Sequence, residues 1–372
     1  SMAGGGNSVT AWILTALIES GWDVTLASLH APDFHGVDAF FGTRLRAAPP
    51  KVCLAPRAWR TLFRLLPTPG AFLEMALMER FAGQLHRERG YDLYFSTNNE
   101  MRLPRPGLQY IHFPRHCLQR PPDDYRWHHR LPALMPAYRS LAQWVAGPSL
   151  CAWQDNLALA NSGFVANLYR KCGGGEAEVV HPPVAGAFPD VEWSNRRDRV
   201  IALGRIHRSK RVLEMIEIVK RVRERGHDLE FWLLGAFDCD ENYRGAITSE
   251  CSDSSWLRVI ENLDRGGLID LLSHSRYGLH AMEEEHFGMG IAEMREAGMI
   301  VLAPNSGGPP EILNHDPRVL FESMDGAVEK LSAVLGDSQL RNDLLEGVTK
   351  SRGRFSISSF VSQVARHAAA MA

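Results

Sequence analysis

The chain has 372 residues, of which 45% are hydrophobic and 23% charged, and 41 basic against 43 acidic side chains leave a net charge of −2. That length suits two domains of ordinary size, and the apolar share excludes a disordered chain. No apolar run is long enough to span a bilayer and no basic start leads into an apolar leader, so a cytoplasmic location is expected.

In chain order, Gly4-Gly5-Gly6-Asn7 reads as a glycine loop of the kind that lets backbone approach a ligand, yet nothing strand-like precedes it. A helix is predicted next, with Val9, Trp12, Ile13, Ala16 and Leu17 on one face and Gly21 at its end. Strands are predicted at 22–28, 92–96, 109–113 and 157–161, with helices near 70–89, 136–148 and 162–172. Residues 98–135 are rich in Pro, Arg and His and read as long loops.

The second half is more regular. Strands at 199–203, 229–234, 257–261, 277–281 and 299–303 alternate with helices, which predicts a parallel sheet covered on both faces. The Pro- and Gly-containing stretch 181–189 fits a domain boundary. The half of the chain up to Ala185 is net basic and the remainder net acidic, a modest asymmetry that chance or an anionic partner explains equally. The six cysteines form no CxxC pair, so neither disulfides nor a zinc site is expected.

The chemistry concentrates in residues 278–312. A strand runs into an acidic loop, Gly288 and Gly290 open a helix, and Glu293 sits on its first turns. Ligands of parallel sheets bind beyond the carboxyl ends of strands, where helix amino termini suit a diphosphate. Glu285 and Glu293 have seven residues between them, so one stands on the loop and the other in the helix, where a carboxylate can accept from two vicinal hydroxyls. Taken alone, both read as surface carboxylates of a solvated helix. Gly204-Arg205 follows a strand, with Lys210 five residues on. Two cations at a strand–helix junction can neutralise a leaving diphosphate, or simply begin a basic helix.

The stretch Gly278–Gly290 together with Asn305–Ile312 resembles the signature of the retaining glycosyltransferases of family 4. Its G-L-H-x-M-x-x-E-H-F-G-x-G wording is similar to the GDP-mannose α-1,2-mannosyltransferases of the dolichol pathway. Gly204-Arg205 with Lys210, Tyr110–Pro114, Asn161-Ser162 and His181-Pro182-Pro183 extend the likeness over most of the chain. Arg211 departs from it, since a small residue usually follows the lysine.

The resemblance implies an α/β fold of the GT-B kind with two Rossmann-like domains facing a cleft. An acceptor-side domain would cover 1–184, lacking its first strand or borrowing one, with Gly4–Asn7 entering the cleft. A nucleotide-sugar domain would cover 185–355, and a helix over 356–372 would return to the first domain. It further implies transfer of a sugar from a nucleoside diphosphate, GDP-mannose before UDP-sugars, with retention. Arg205 and Lys210 would contact the phosphates, Glu285 the sugar hydroxyls and Glu293 the ribose. Backbone of Gly204, Phe287, Gly288, Met289 and Gly290, with Gly5 and Gly6 opposite, would line the donor. His112 at a strand end would face the transferred sugar. No carboxylate of the first domain stands out as a nucleophile, which favours front-face displacement.

Asp238-Cys239-Asp240 matches the metal-binding D-x-D of a different fold, but following a strand it reads as a loop and helix cap, so no metal is expected. No cofactor beyond the donor and no nucleic acid are expected. Six cations between Arg44 and Arg64, interleaved with Trp59 and leucines, suggest reversible contact with an anionic membrane face beside the lipid-linked acceptor, or else arginines over apolar residues packed inward. A nucleotide-sugar 2-epimerase or a non-catalytic sugar-nucleotide binder would share the fold.

Overall fold

The computed structural model describes residues 5–65, 71–115, 134–147 and 151–371. They divide into two compact units, Ser1–Pro183 with Ile357–Ala372, and Val184–Ser356.

The first unit opens with α1 (Gly5–Glu19), then β1 (Thr25–Ser28), α2 (Phe34–Phe41), β2 (Lys51–Leu54), α3 (Arg57–Leu65) and α4 (Ala71–Arg89). There follow β3 (Phe95–Ser96), β4 (Leu108–Ile111), α5 (Met135–Ala146), β5 (Leu157–Ala160), α6 (Gly163–Lys171) and β6 (Ala177–Val179). The strands form two parallel sheets, β1-β2 and β3-β4-β5-β6. Among the described residues no strand joins β1 to β3. The glycine loop is a correction: Gly5, Gly6 and Asn7 form the first turn of α1, and Gly4 lies outside the described residues.

α1 places Val9, Trp12, Ile13, Ala16 and Leu17 against Leu108 and Tyr110 of β4 and Leu159 of β5. Phe360, Val364 and Ala368 of the last helix, α14 (Ile357–Met371), complete that core. In the basic stretch, Trp59 packs against the cluster of Leu77, Phe81 and Leu85, and Lys51 pairs with Asp23. Arg57 is exposed, and the side chains of residues 62–66 are not among those described. Cys172 is disulfide-bonded, which corrects the expectation of thiols throughout; its partner is outside the described residues. Sequence spacing carries no signal for a bridge that folding alone brings together.

The second unit runs β7 (Arg197–Leu203), α7 (Val212–Glu224), β8 (Glu230–Leu234), α8 (Glu241–Asp253), β9 (Leu257–Ile260), α9 (Arg265–Ser273) and β10 (Ser275–Leu279). It continues with α10 (Met289–Glu296), β11 (Ile300–Pro304), α11 (Pro309–Ile312), β12 (Leu320–Phe321), α12 (Met324–Gly336) and α13 (Ser338–Ser351). Its one parallel sheet has the order β12-β11-β10-β7-β8-β9. β7 and β10 are central neighbours although β8, β9 and three helices come between them in the chain, so the strand order reverses there. A crevice beyond the carboxyl ends at such a reversal is where ligands of open α/β sheets bind.

Candidate functional site

The loops after β7 and β10 bring the predicted residues of the second unit together. Lys210, on a short helical turn (Arg208–Lys210), forms an ion pair with Glu285 on the loop after β10. Their side chains retain only 20% and 14% of their exposure. His280, which follows β10 directly and which the sequence reading missed, lies with Nε2 3.3 Å from Glu285 Oε2. Burial pushes the Glu285 carboxyl up, but Lys210 and His280 outweigh it and hold it well below the usual carboxylate range. Burial lowers His280, Glu285 opposes, and the net shift is downward. The arrangement is therefore a carboxylate locked in its charged form between an ammonium and a largely neutral imidazole.

Arg205 lies on the loop after β7, mostly exposed, and pairs with Asp238 at 2.5 Å. Asp240 accepts from the Tyr243 N–H and so caps α8, while Arg208 bonds it. The D-x-D thus works as an ion-pair and capping element, and among the described residues no cluster of acids, histidines and cysteines forms a metal cage. Arg211 takes a left-handed conformation (φ 54°) at the start of α7 and reaches Glu283.

α10 begins at Gly288 with its amino terminus in the same loop region. A Cβ on Gly290 would stand 2.5 Å from the Leu203 carbonyl oxygen, so only glycine lets the helix start against the end of β7. Gly307 (φ 72°) packs as closely on Glu285, and the Gly308 N–H donates to the Glu285 carbonyl at 2.7 Å. The N-S-G-G segment therefore clamps the acidic loop. Glu293, one turn into α10, has Oε1 2.5 Å from Arg265 Nη1, and the arginine and glutamate side chains retain only 13% and 15% of their exposure. Arg265 was not legible in the sequence: it opens α9, and nothing local ties it to Glu293.

In the first unit, His112 follows β4 directly. Its backbone N–H and that of Phe113 donate to Asn99 Oδ1 at 2.7 and 2.9 Å, and Asn161 Nδ2 donates to its carbonyl at 3.1 Å. His112 Nε2 lies 3.0 Å from the Thr97 carbonyl, which requires the proton on that nitrogen. A Cβ on Gly6 would be 3.8 Å from the His112 ring, so Gly6 and the histidine predicted for this unit lie close together. Ser162 Oγ caps α6 by accepting from the Val165 N–H.

Residues 187–350 match the family model described as glycosyl transferases group 1. That match covers most of the second unit, Val184–Ser356. Among curated proteins, the chain is 28% identical over 205 residues to the GDP-Man:Man(3)GlcNAc(2)-PP-Dol alpha-1,2-mannosyltransferase of Mus musculus, covering 49% of this chain and 41% of that protein. It is 35% identical over 105 residues to the Homo sapiens protein of the same name, covering 27% and 21%. The chain thus spans less than half the length of these relatives. The crystal structure of Anabaena HepE in complex with UDP and glucose superposes over 98% of this chain and 96% of its own, with a TM-score of 0.65 at 14% identity. That likeness establishes the fold as GT-B, as the sequence implied.

Proposed function

We propose that the chain is a metal-independent retaining glycosyltransferase that moves mannose from GDP-mannose to a hydroxyl of a glycan or lipid-linked acceptor. The observation that carries the reading is the Lys210–Glu285–His280 cluster, set with Arg205 and the start of α10 beyond the ends of β7 and β10. The mannosyltransferase relatives favour GDP-mannose as donor, with UDP-sugars next.

Arg205 and Lys210 stabilise charge on the leaving diphosphate, a preorganised contribution that grows as the bond to the sugar breaks. The α10 amino terminus adds N–H groups and a positive dipole end at Phe287–Gly290. Glu285, fixed as an anion, accepts from sugar hydroxyls. Glu293 gives Oε2 to the ribose while Arg265 holds Oε1. Gly5 and Gly6 are assigned to the donor from the first unit, and His112 to the transferred sugar. The sequence of the first unit singles out no carboxylate as a nucleophile, so the leaving phosphate takes the acceptor proton in a front-face displacement.

Thermal shift against GDP-mannose, UDP-glucose and ADP-glucose, followed by turnover with a lipid-linked oligosaccharide extract with and without EDTA, tests the reading. A donor selectively stabilises the folded chain by mass action. Stabilisation by UDP-sugars alone removes the donor assignment. Stereochemistry of the product, read by NMR of the new linkage, tests retention. Binding without transfer leaves a sugar-nucleotide binder, and C2-inverted donor in place of product leaves an epimerase.

A further inference from the structure

Lys210 and Arg211 are consecutive, and each holds a carboxylate of the same loop: Lys210 holds Glu285 and Arg211 holds Glu283. The second pair is physically unlike the first. The Arg211 and Glu283 side chains keep 41% and 65% of their exposure, so water screens the attraction and the pair adds little to stability. Glu214, on the first turn of α7, lies 3.4 Å from the same guanidinium and is also partly exposed.

Arg211 is nevertheless a costly residue at its position. Its φ of 54° is left-handed, where a Cβ crowds the following carbonyl, and glycine would sit there without that crowding. The conformation is imposed from both sides. The Arg211 N–H donates to the Arg208 carbonyl at 2.9 Å and closes the short helical turn, while its carbonyl accepts from the Met215 N–H at 3.1 Å and opens α7. Met215, Ile216 and Val219 of α7 are buried, and the Val212 N–H donates to the Tyr243 hydroxyl of α8 at 2.9 Å. The backbone at Arg211 is thus a rigid anchor. Its strain costs at least as much as an exposed pair contributes, so stability does not explain an arginine here.

The pair acts on the loop that carries Glu285. Glu284 is left-handed as well, with φ 50°, and its N–H donates to Ser306 Oγ beyond β11 at 3.1 Å. The Gly308 N–H holds the Glu285 carbonyl at 2.7 Å. Three consecutive residues are therefore pinned from two directions. The β11 side holds Glu284 and the Glu285 backbone, and the β7 side holds the carboxylates of Glu283 and Glu285. The same loop leads into Gly288 and the start of α10.

We propose that Arg211 is a positioning residue. Through Glu283 it sets the loop 282–287, and with it the Glu285 carboxylate and the amino end of α10, without touching the donor. A small displacement of a preorganised group lowers transition-state stabilisation out of proportion to its size. The effect on turnover rests on the glycosyltransferase reading; the effect on the loop does not.

Arg211→Gly, Arg211→Lys and Glu283→Gln are compared with the wild-type chain by Tm, by backbone hydrogen exchange at Glu284 and Gly308 without ligand, and by donor kinetics. Arg211→Gly relieves the left-handed strain and should leave Tm unchanged or raise it by up to about 4 °C. Exchange at both amides should nonetheless quicken by about fivefold or more. The kcat should fall about tenfold while KM for the donor stays within about twofold. Glu283→Gln should reproduce the exchange and kinetic changes, and the two substitutions combined should do no more than either alone. Arg211→Lys, which keeps the charge, should recover most of kcat. Wild-type exchange in both Arg211→Gly and Glu283→Gln, or faster exchange with unchanged kcat, overturns the proposal. So does a kinetic loss in Arg211→Gly that Glu283→Gln does not share, which would put the guanidinium on the donor itself. If the wild-type chain turns over no sugar nucleotide while the exchange results hold, the enzyme reading fails and the positioning of the loop stands.

Discussion

Lys210 and Glu285 stand 75 positions apart in sequence and meet as an ion pair with most of both side chains out of water. Arg205 makes the opposite kind of pair, with Asp238, where both partners are more than half exposed. The two cations assigned to the diphosphate therefore differ in what their removal does to folding. Arg205→Ala loses an exposed pair worth about 0–1 kcal/mol and should leave Tm nearly unchanged. Lys210→Ala strands a buried carboxylate at about 3 kcal/mol, the lower end for breaking buried pairs because some exposure remains. Each should cut turnover about a hundredfold or more. Lys210→Ala with Glu285→Gln should regain much of the stability and none of the turnover. Normal turnover in either folded single variant refutes the phosphate role.

Stability should fall on acidification in a way that depends on His280. Its pKa in the folded chain is below the ordinary 6.5, because burial outweighs the pull of Glu285. Between the folded value and 6.5 the unfolded chain binds a proton that the folded chain does not, so stability drops as pH falls through that window. Glu285, held below its ordinary 4.5, adds a second loss in the same direction at lower pH. His280→Asn should flatten the first part of the curve. An unchanged Tm slope between pH 7 and pH 5 in that variant rules this out.

Glu293→Gln should weaken donor binding and raise KM more than it lowers kcat, since ribose contacts persist from ground state to transition state. Arg265→Ala should do the same through a carboxylate no longer held in place. A pure kcat effect would place Glu293 at the reacting sugar instead.

Gly290→Ala forces a methyl group against the Leu203 carbonyl. Backbone cannot yield as a flexible side chain does, so a cost of about 1–3 kcal/mol is expected, with weaker nucleotide affinity as α10 shifts. Calorimetry of unfolding and titration with GDP read the two effects; wild-type values for both would mean the helix start is not confined.

Reversible binding to anionic vesicles through the basic stretch remains a prediction, with Arg57 exposed at its helix start. Flotation should show retention on anionic but not neutral vesicles, lost on Arg57→Gln with Arg60→Gln. Indifference to vesicle charge favours an acceptor away from a membrane surface.

Much of the second unit was legible because its strands are continuous apolar runs and its motif residues sit at the loops those strands end in. The same holds for the strand end at His112 and for α14. β2 and α3 were not, since Pro, Lys and Arg interrupt their patterns and packing against α4 decides them. His280, Arg265 and Asn99 escaped notice because their roles come from partners distant in the chain, or from one side chain bonding two backbone groups. The glycine run was misjudged locally: glycine permits a loop, but α1 gains its packing from the first turn onward.

The last helix has a consequence for how the chain is made. Phe360, Val364 and Ala368 belong to the core that α1 and β4 begin. A ribosome therefore releases the second unit's whole sequence before the first unit can close its core. Domains usually fold in the order they are synthesised, and here the order should invert: nascent chains arrested near Ser356 should already protect the second unit from protease while the stretch Ser1–Pro183 stays open to it.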